Sequence, residues 1–298
     1  MKKSNKAISG VIVPIITPVD KNEKINEKPF KSILNHCLNA NVDGIFVGGS
    51  AGMGPLLTES QWIKAIEIAR DNVSDSKFLL GGIICTSTAI AIERIKILEK
   101  VGYKYMVVTP TYYINLNAHP QFFTHFDMCR QSTDMEMIAY NIPSCTYSQI
   151  PIDTLRLMAE KGFYKAIKES SGNREYFRQV LKIAKKFKIN ALQGNEPDIE
   201  WGLSNGAAGI VPVCANFEPK TYVAAWNSRL KNDKKTLTAA QDRANFLRDN
   251  LLVKSEHWIA GIMYGAKTLG FGNGKPVKPL LEISKESKKR IDSLKVIN

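Results

Sequence analysis

The 298-residue sequence has no apolar run approaching the roughly 20 residues that a spanning helix needs, so membrane insertion is not expected. Its first ten residues, MKKSNKAISG, are basic but carry no apolar stretch, and a secretory signal is not expected there. Cysteine is scarce and poorly spaced for pairing. Of Cys37, Cys85, Cys129, Cys145 and Cys214, the closest two are sixteen positions apart. That excludes CxxC metal and redox motifs and argues against a disulfide framework, which makes a reducing, cytoplasmic setting the expectation. The four histidines, His36, His119, His125 and His257, show neither HExxH nor HxH spacing, so neither a metal nor a cofactor is expected. Acidic residues are in deficit: 28 Asp and Glu against 41 Lys and Arg leave a net charge of +13. The densest basic groups are Lys182, Lys185, Lys186 and Lys188, then Lys285, Lys288, Lys289 and Arg290. Both sit at helical spacing with apolar residues between them. They read as solvated helix faces, and no nucleic-acid partner is expected.

What is present is an alternation. Short apolar, β-branched runs are each followed by an amphipathic stretch. The spacing predicts strands at 11–17, 44–47, 78–84, 105–109, 135–141, 164–168, 191–193 and 209–213. Thr58 with Gln61 three residues on predicts a capping box, and Thr86 or Ser87 opens the helix that follows the third strand. Pro120, Pro151 and Pro197 stand where first helical turns begin. Strands apolar on both faces call for a parallel sheet covered by helices. Eight strand–helix units predict an α/β fold, a (β/α)8 TIM barrel over residues 1–230. Residues 231–298 read as helices alone, a C-terminal helical appendage packed on the barrel.

In such a barrel the chemistry lies where the strands end. Lys168 closes the sixth strand in the run AIKES. A lysine turned into the barrel mouth loses hydration, which lowers its pKa and frees a neutral amine for imine formation. Tyr140 closes the fifth strand, where a phenol serves as an acid/base group if it meets a relay. Ser50 and Tyr112 are the candidate relay hydroxyls. Read singly, each tyrosine fits a packed core equally well. The glycine-rich segment 48–54 lacks the GK[ST] of a phosphate loop and the trailing acidic residue of a dinucleotide fingerprint. It reads either as a tight turn or as a nest of backbone N–H groups for a small carboxylate.

Taken together, the residues resemble the dihydrodipicolinate synthase / N-acetylneuraminate lyase family of class I, Schiff-base aldolases. The marks are ITP at 16–18, GGSAG at 48–52, TP followed by Tyr112, YNIP at 140–143, IKES at 167–170, GNE at 194–196 and GAAGIV at 206–211. The resemblance implies that Lys168 forms the imine with pyruvate or another 2-oxo acid and that Tyr140 is the acid/base group. It implies that Ser50 and Ala51 hold the carboxylate and that Val211 lends a backbone carbonyl near the imine. Tyr112 would complete a proton relay, entering the neighbouring subunit's site in a homotetramer built as a dimer of dimers. An aldehyde is the implied second partner.

Three departures from the family pattern stand out. Ser50-Ala51 stands where Thr-Thr is common, and Met53 where a glutamate is common. Cys145 stands where the lysine-biosynthetic members carry an arginine for the aldehyde's distal carboxylate, a bidentate contact a thiol cannot make. The expected reaction is therefore cleavage or formation of a C–C bond in a sugar-like 2-oxo acid, of 2-keto-3-deoxy-sugar acid or N-acetylneuraminate type. Asn195 and Glu196 would bind hydroxyls, and Cys145 would line the substrate pocket. The alternative is condensation of pyruvate with aspartate semialdehyde. A barrel that only binds a ligand is the third reading, and the pairing of Lys168 with Tyr140 speaks against it.

Overall fold

The structure, a computed structural model, describes residues 7–296. Eight parallel strands close into one barrel in sequence order. They are β1 (Gly10–Pro14), β2 (Gly44–Val47), β3 (Phe78–Ile83), β4 (Tyr105–Val108), β5 (Glu136–Asn141), β6 (Ala166–Glu169), β7 (Asn190–Gln193) and β8 (Gly209–Ile210). The closure is β8 on β1, with Gly209 opposite Gly10. A Cβ on Gly209 would lie 2.4 Å from the Gly10 carbonyl oxygen, so the seam requires a residue without a side chain.

The strands are apolar on both faces because both faces are covered. One set of side chains, including Ile12, Phe46, Leu80, Val107, Ile138 and Leu192, fills the barrel interior. The alternate set, including Val11, Val13, Ile45, Val47 and Met106, packs under the helices. The predicted strands all exist; 44–47 coincides with β2, and the others shift at one or both ends. The first leaves the ladder after Pro14, and the eighth stops at Ile210. The sixth begins at Ala166, because Tyr164 is spent as a buried anchor whose hydroxyl donates to the Leu155 carbonyl.

Thr58 and Gln61 form the reciprocal capping box of the helix Glu59–Asn72. Ser87 caps Thr88–Val101. A cap of this kind contributes on the order of 1 kcal/mol. The basic clusters lie as expected. Lys182, Lys185 and Lys186 are on the solvent side of Arg174–Phe187, opposite buried Phe177, Val180 and Ile183.

After Pro219–Lys231 the chain continues through Lys234–Arg248, a five-residue π-turn at Asp249–Val253, Trp258–Thr268 and Lys285–Asp292. Leu237, Ala244, Leu247, Leu251, Ile262 and Ile291 from this segment belong to the same continuous core as the barrel's outer layer. Among the described residues no helix is long and apolar enough to cross a membrane.

Candidate active site

Tyr140 and Lys168 are direct register partners on β5 and β6. Both therefore point the same way, into the mouth. The next pair outward in register, Asn141 and Glu169, points to the helical layer and staples the two strand ends. Asn141 Nδ2 donates to Glu169 Oε1 at 3.1 Å, the Ser171 N–H donates to the same oxygen at 2.7 Å, and Asn141 Oδ1 accepts the Ile150 N–H at 3.0 Å. The pair behind thus fixes the pair in front.

Lys168 is 5% exposed, and its Nζ faces aromatic rings, 4.1 Å from the centroid of Tyr140 and 5.0 Å from that of Phe46. Burial pushes its pKa down to about 7, against opposing pulls from Cys145 and Glu196. At neutral pH a large share of the amine is unprotonated and nucleophilic. Burial also raises the pKa of the Tyr140 phenol, although the approaching hydroxyls of Ser170 and Ser50 favour its ionised form. The phenol therefore keeps its proton near neutrality and acts through hydrogen bonds.

The turn after β2 brings Ser50 to this pair. Gly48 takes a φ of +67°, and a Cβ on Gly54 would stand 1.9 Å from the Gly48 carbonyl oxygen, so the chain folds back on itself too closely for any side chain there. The loop is closed by Met53 N–H on Ser50 O (3.0 Å) and Gly54 N–H on Gly49 O (3.0 Å). The N–H groups of Ser50 and Ala51 donate to no protein group among the described residues. Met53, buried, accepts from the Val277 N–H through its sulfur at 3.3 Å and so ties the turn to the C-terminal segment. Its side chain serves the scaffold.

Cys145 sits on a short helical turn, Pro143–Thr146, half-buried against the interior cluster. Its thiol pKa is raised by burial, opposed by Ser144, Lys168 and Ser50, which identifies the groups around it. Ser50, Tyr140, Cys145 and Lys168 therefore share one small space. Val211 is buried in the same interior cluster, its N–H donating to the Gln193 carbonyl at 2.8 Å. Tyr112 also packs on that cluster, but the ionisable groups acting on its phenol are Cys85 and Arg94, not Tyr140.

The two residues expected to bind hydroxyls are placed differently from each other. Asn195 is half-buried beside Gly172, with its amide donating to Asp198 at 2.6 Å. Glu196 is buried, and its carboxylate accepts from Cys214 and Tyr222 within the protein. Among the described residues no three histidine, cysteine or acidic side chains converge to hold a metal ion.

Three neighbours of the amine escape a reading of motifs alone. Phe46 lies beside the ammonium, an orientation that strand alternation in GIFV predicts once Phe46 is set inward. Ser170 presents a buried Oγ that has no hydrogen bond of ordinary geometry among the described residues. Gly194 passes so close that a Cβ would stand 2.1 Å from Ser170 Oγ and 3.1 Å from Lys168 Cε.

Comparison with known proteins is consistent along the whole length. Residues 7–296 match the model of the dihydrodipicolinate synthetase family. A 4-hydroxy-tetrahydrodipicolinate synthase of Chloroherpeton thalassium is 26% identical over 295 residues, 97% of this chain and 94% of that protein. One from Clostridium novyi is 31% identical over 213 residues, 71% of this chain and 70% of its own. A crystal structure of a dihydrodipicolinate synthase superposes with a TM-score of 0.88 at 26% identity, covering 96% of this chain and 97% of that one.

Proposed function

Because the chain belongs to the dihydrodipicolinate synthetase family, and so to the Schiff-base lyases that join pyruvate with an aldehyde, we propose that its own reaction runs on a sugar-like 2-oxo acid through an imine on Lys168. The observation that carries the site is the buried amine of Lys168 against the Tyr140 ring, with its pKa pushed down to about 7.

In this reading the Lys168 nitrogen adds to the keto carbon of pyruvate or another 2-oxo acid, and water leaves. Tyr140, backed by Ser50, passes the protons that this addition and dehydration require. The unpaired N–H groups of Ser50 and Ala51 support a role in holding the oxo acid's carboxylate. The imine then acts as an electron sink. Loss of a proton from the adjacent carbon gives an enamine, whose carbon bonds to the aldehyde carbon; cleavage is the reverse. The Val211 carbonyl is assigned to the imine's surroundings and the Asn195 amide to a hydroxyl of the longer substrate. Cys145, an uncharged side chain beside Lys168 and Ser50, supports an acceptor without a distal carboxylate.

The second reading is condensation of pyruvate with aspartate semialdehyde, favoured by the names of the relatives. We also propose a cytoplasmic homotetramer, a dimer of dimers, with Tyr112 entering the neighbouring site. Exposed Tyr113 (82%), Ile114 (69%) and Tyr147 (71%) on adjoining loops support an assembly that covers them. The five cysteines, all free, support a reducing compartment.

The deciding experiment has two arms. Borohydride reduction with pyruvate is expected to give a stoichiometric adduct on Lys168, and its absence from folded protein refutes the imine. Turnover of 2-keto-3-deoxy-sugar acids and N-acetylneuraminate is then compared with turnover of aspartate semialdehyde. Turnover of the semialdehyde alone establishes the second reading.

A further inference from the structure

Glu196 follows β7 by three residues, and its carboxylate is bound to the loop after β8 rather than open to solvent. It is 5% exposed, and both carboxylate oxygens are occupied. Oε1 accepts the Cys214 N–H at 2.7 Å and the Tyr222 hydroxyl at 3.4 Å; Oε2 accepts the Cys214 thiol at 3.4 Å. All three partners are donors, the surroundings of an ionised carboxylate. The Glu196 peptide carbonyl is held in turn by Gln241 Nε2 at 3.0 Å, from the helix Lys234–Arg248.

Cys214 belongs to the loop that leaves β8 just after Val211. The far side of that loop is fixed by Asn216, which accepts the Ile16 N–H at 3.0 Å and donates to the Pro14 carbonyl at 3.0 Å. Glu196 is thus the bond between the β7 and β8 ends, as Asn216 is between β8 and β1.

We infer that Glu196 is a positioning residue and a buried counter-charge: it holds the β8 loop through Cys214 and offsets the positive charge that Lys168 carries once joined to the oxo acid. This rests on the imine reading. Free Lys168 escapes the cost of burial by releasing its proton. The iminium differs in need: amine, carbonyl and one proton become iminium and water, and although it too can shed that proton to a neutral imine, the charge is what makes the adjacent carbon acidic. Around it stand Phe46 and Tyr140, members of the apolar cluster that fills the barrel interior.

The ionisable groups facing Lys168 are Tyr140 on β5, Cys145 after β5 and Glu196 after β7, two residues beyond Gly194, where a Cβ would stand 3.1 Å from Lys168 Cε. Burial raises the pKa of the first two, which keeps them neutral at neutral pH. Those facing Glu196 are Cys214, Tyr222 and Arg248. Burial raises the Glu196 pKa; the Cys214 and Tyr222 donors and the Arg248 charge pull it back.

The test is Glu196→Gln. With its oxygen in the place of Oε1 the amide still accepts the Cys214 N–H and the Tyr222 hydroxyl, and its nitrogen in the place of Oε2 meets the Cys214 sulfur, which is able to accept. Borohydride trapping at saturating pyruvate is measured against pH, with KM for pyruvate alongside. Loss of a nearby negative charge is expected to lower the midpoint of trapping by about one pH unit and to raise KM by roughly tenfold. Trapping at pH 6 is then several-fold faster in the variant, a gain that a purely structural role does not produce. An unshifted or raised midpoint overturns the counter-charge while leaving the imine intact, whereas no trapping in the unaltered enzyme overturns both. Should Glu196→Gln fail to fold, Glu196→Asp carries the test. It keeps the charge and shortens the reach to Cys214, so the midpoint should hold while kcat falls. A midpoint that drops with the charge still present overturns the inference.

Discussion

The Lys168 ammonium lies 4.1 Å from the centre of the Tyr140 ring, and the two residues are opposite one another in the β5–β6 ladder. One backbone relationship therefore sets the distance between the amine and the phenol. Removing water from around the amine is what makes it reactive, and the same burial destabilises its charged form in the folded protein.

That coupling gives a stability prediction. Unfolded, Lys168 holds its proton up to the ordinary value of 10.5; folded, it gives it up at about 7. Between these limits the unfolded chain binds more protons, so the wild-type fold gains stability as pH rises through the window. Lys168→Met is expected to be more stable than wild type by a few kcal/mol at pH 6. Thermal unfolding as a function of pH should show the difference shrinking toward pH 10. Equal stability at pH 6 contradicts the buried amine.

Tyr140→Phe removes the phenol but keeps the ring beside Lys168. The expected result is a fall in kcat of roughly 10²- to 10³-fold, with pyruvate adducts still forming, more slowly. Because burial holds the phenol's proton beyond neutrality, the acid limb of the pH–rate profile belongs to Lys168 and survives in the variant. A vanished acid limb assigns that titration to Tyr140 instead.

The sequence makes the barrel legible because its signals repeat: eight apolar runs, a capping box at Thr58 and proline at several helix starts. It makes Lys168 and Tyr140 legible because strand ends converge in this fold. The commitments of single polar groups do not repeat. Glu196 meets Cys214 and Tyr222 from 18 and 26 positions away, and neither spacing belongs to a helix or a strand. The same holds for Cys145, whose neighbours Ser50 and Lys168 come from other strand ends. Strand ends shift for a related reason: Tyr164, apolar and β-prone, is drawn out of β6 by its bond to the Leu155 carbonyl.

Gly194→Ala tests the crowding over the amine. The added methyl would meet Ser170 Oγ at 2.1 Å, the Glu169 carbonyl oxygen at 2.9 Å and Lys168 Cε at 3.1 Å. A stability loss of about 1–3 kcal/mol is expected from overpacking. The larger effect should fall on kcat, about two orders of magnitude, because displaced Lys168 no longer meets the bound oxo acid in line. Adding Ser170→Gly removes the nearest obstacle and should restore part of both losses. Additive losses in the double variant would place the clash elsewhere.

On the proposed reading, Cys145 sets the choice between acceptors. It is uncharged, its thiol pKa raised by burial, and it adjoins both Lys168 and Ser50. Among the described residues the cation acting on the Cys145 thiol is Lys168, which the proposed reaction engages as the imine, so an acceptor with a distal carboxylate would bury that charge there without a cation of its own. Cys145→Ser is expected to change kcat/KM by less than about threefold, since the thiol performs no chemistry. Cys145→Arg introduces a fork that pairs with a carboxylate. Its like charge near Lys168 should also lower the amine's pKa further and move the acid limb of the profile to lower pH. Steady-state comparison of aspartate semialdehyde with an uncharged hydroxyaldehyde should then show preference moving toward the carboxylated acceptor by roughly tenfold or more, the scale of one charge-assisted contact. If the unaltered enzyme already prefers the semialdehyde and the arginine brings no gain, the distal carboxylate is held by another cation, and the sugar-acid reading falls with it.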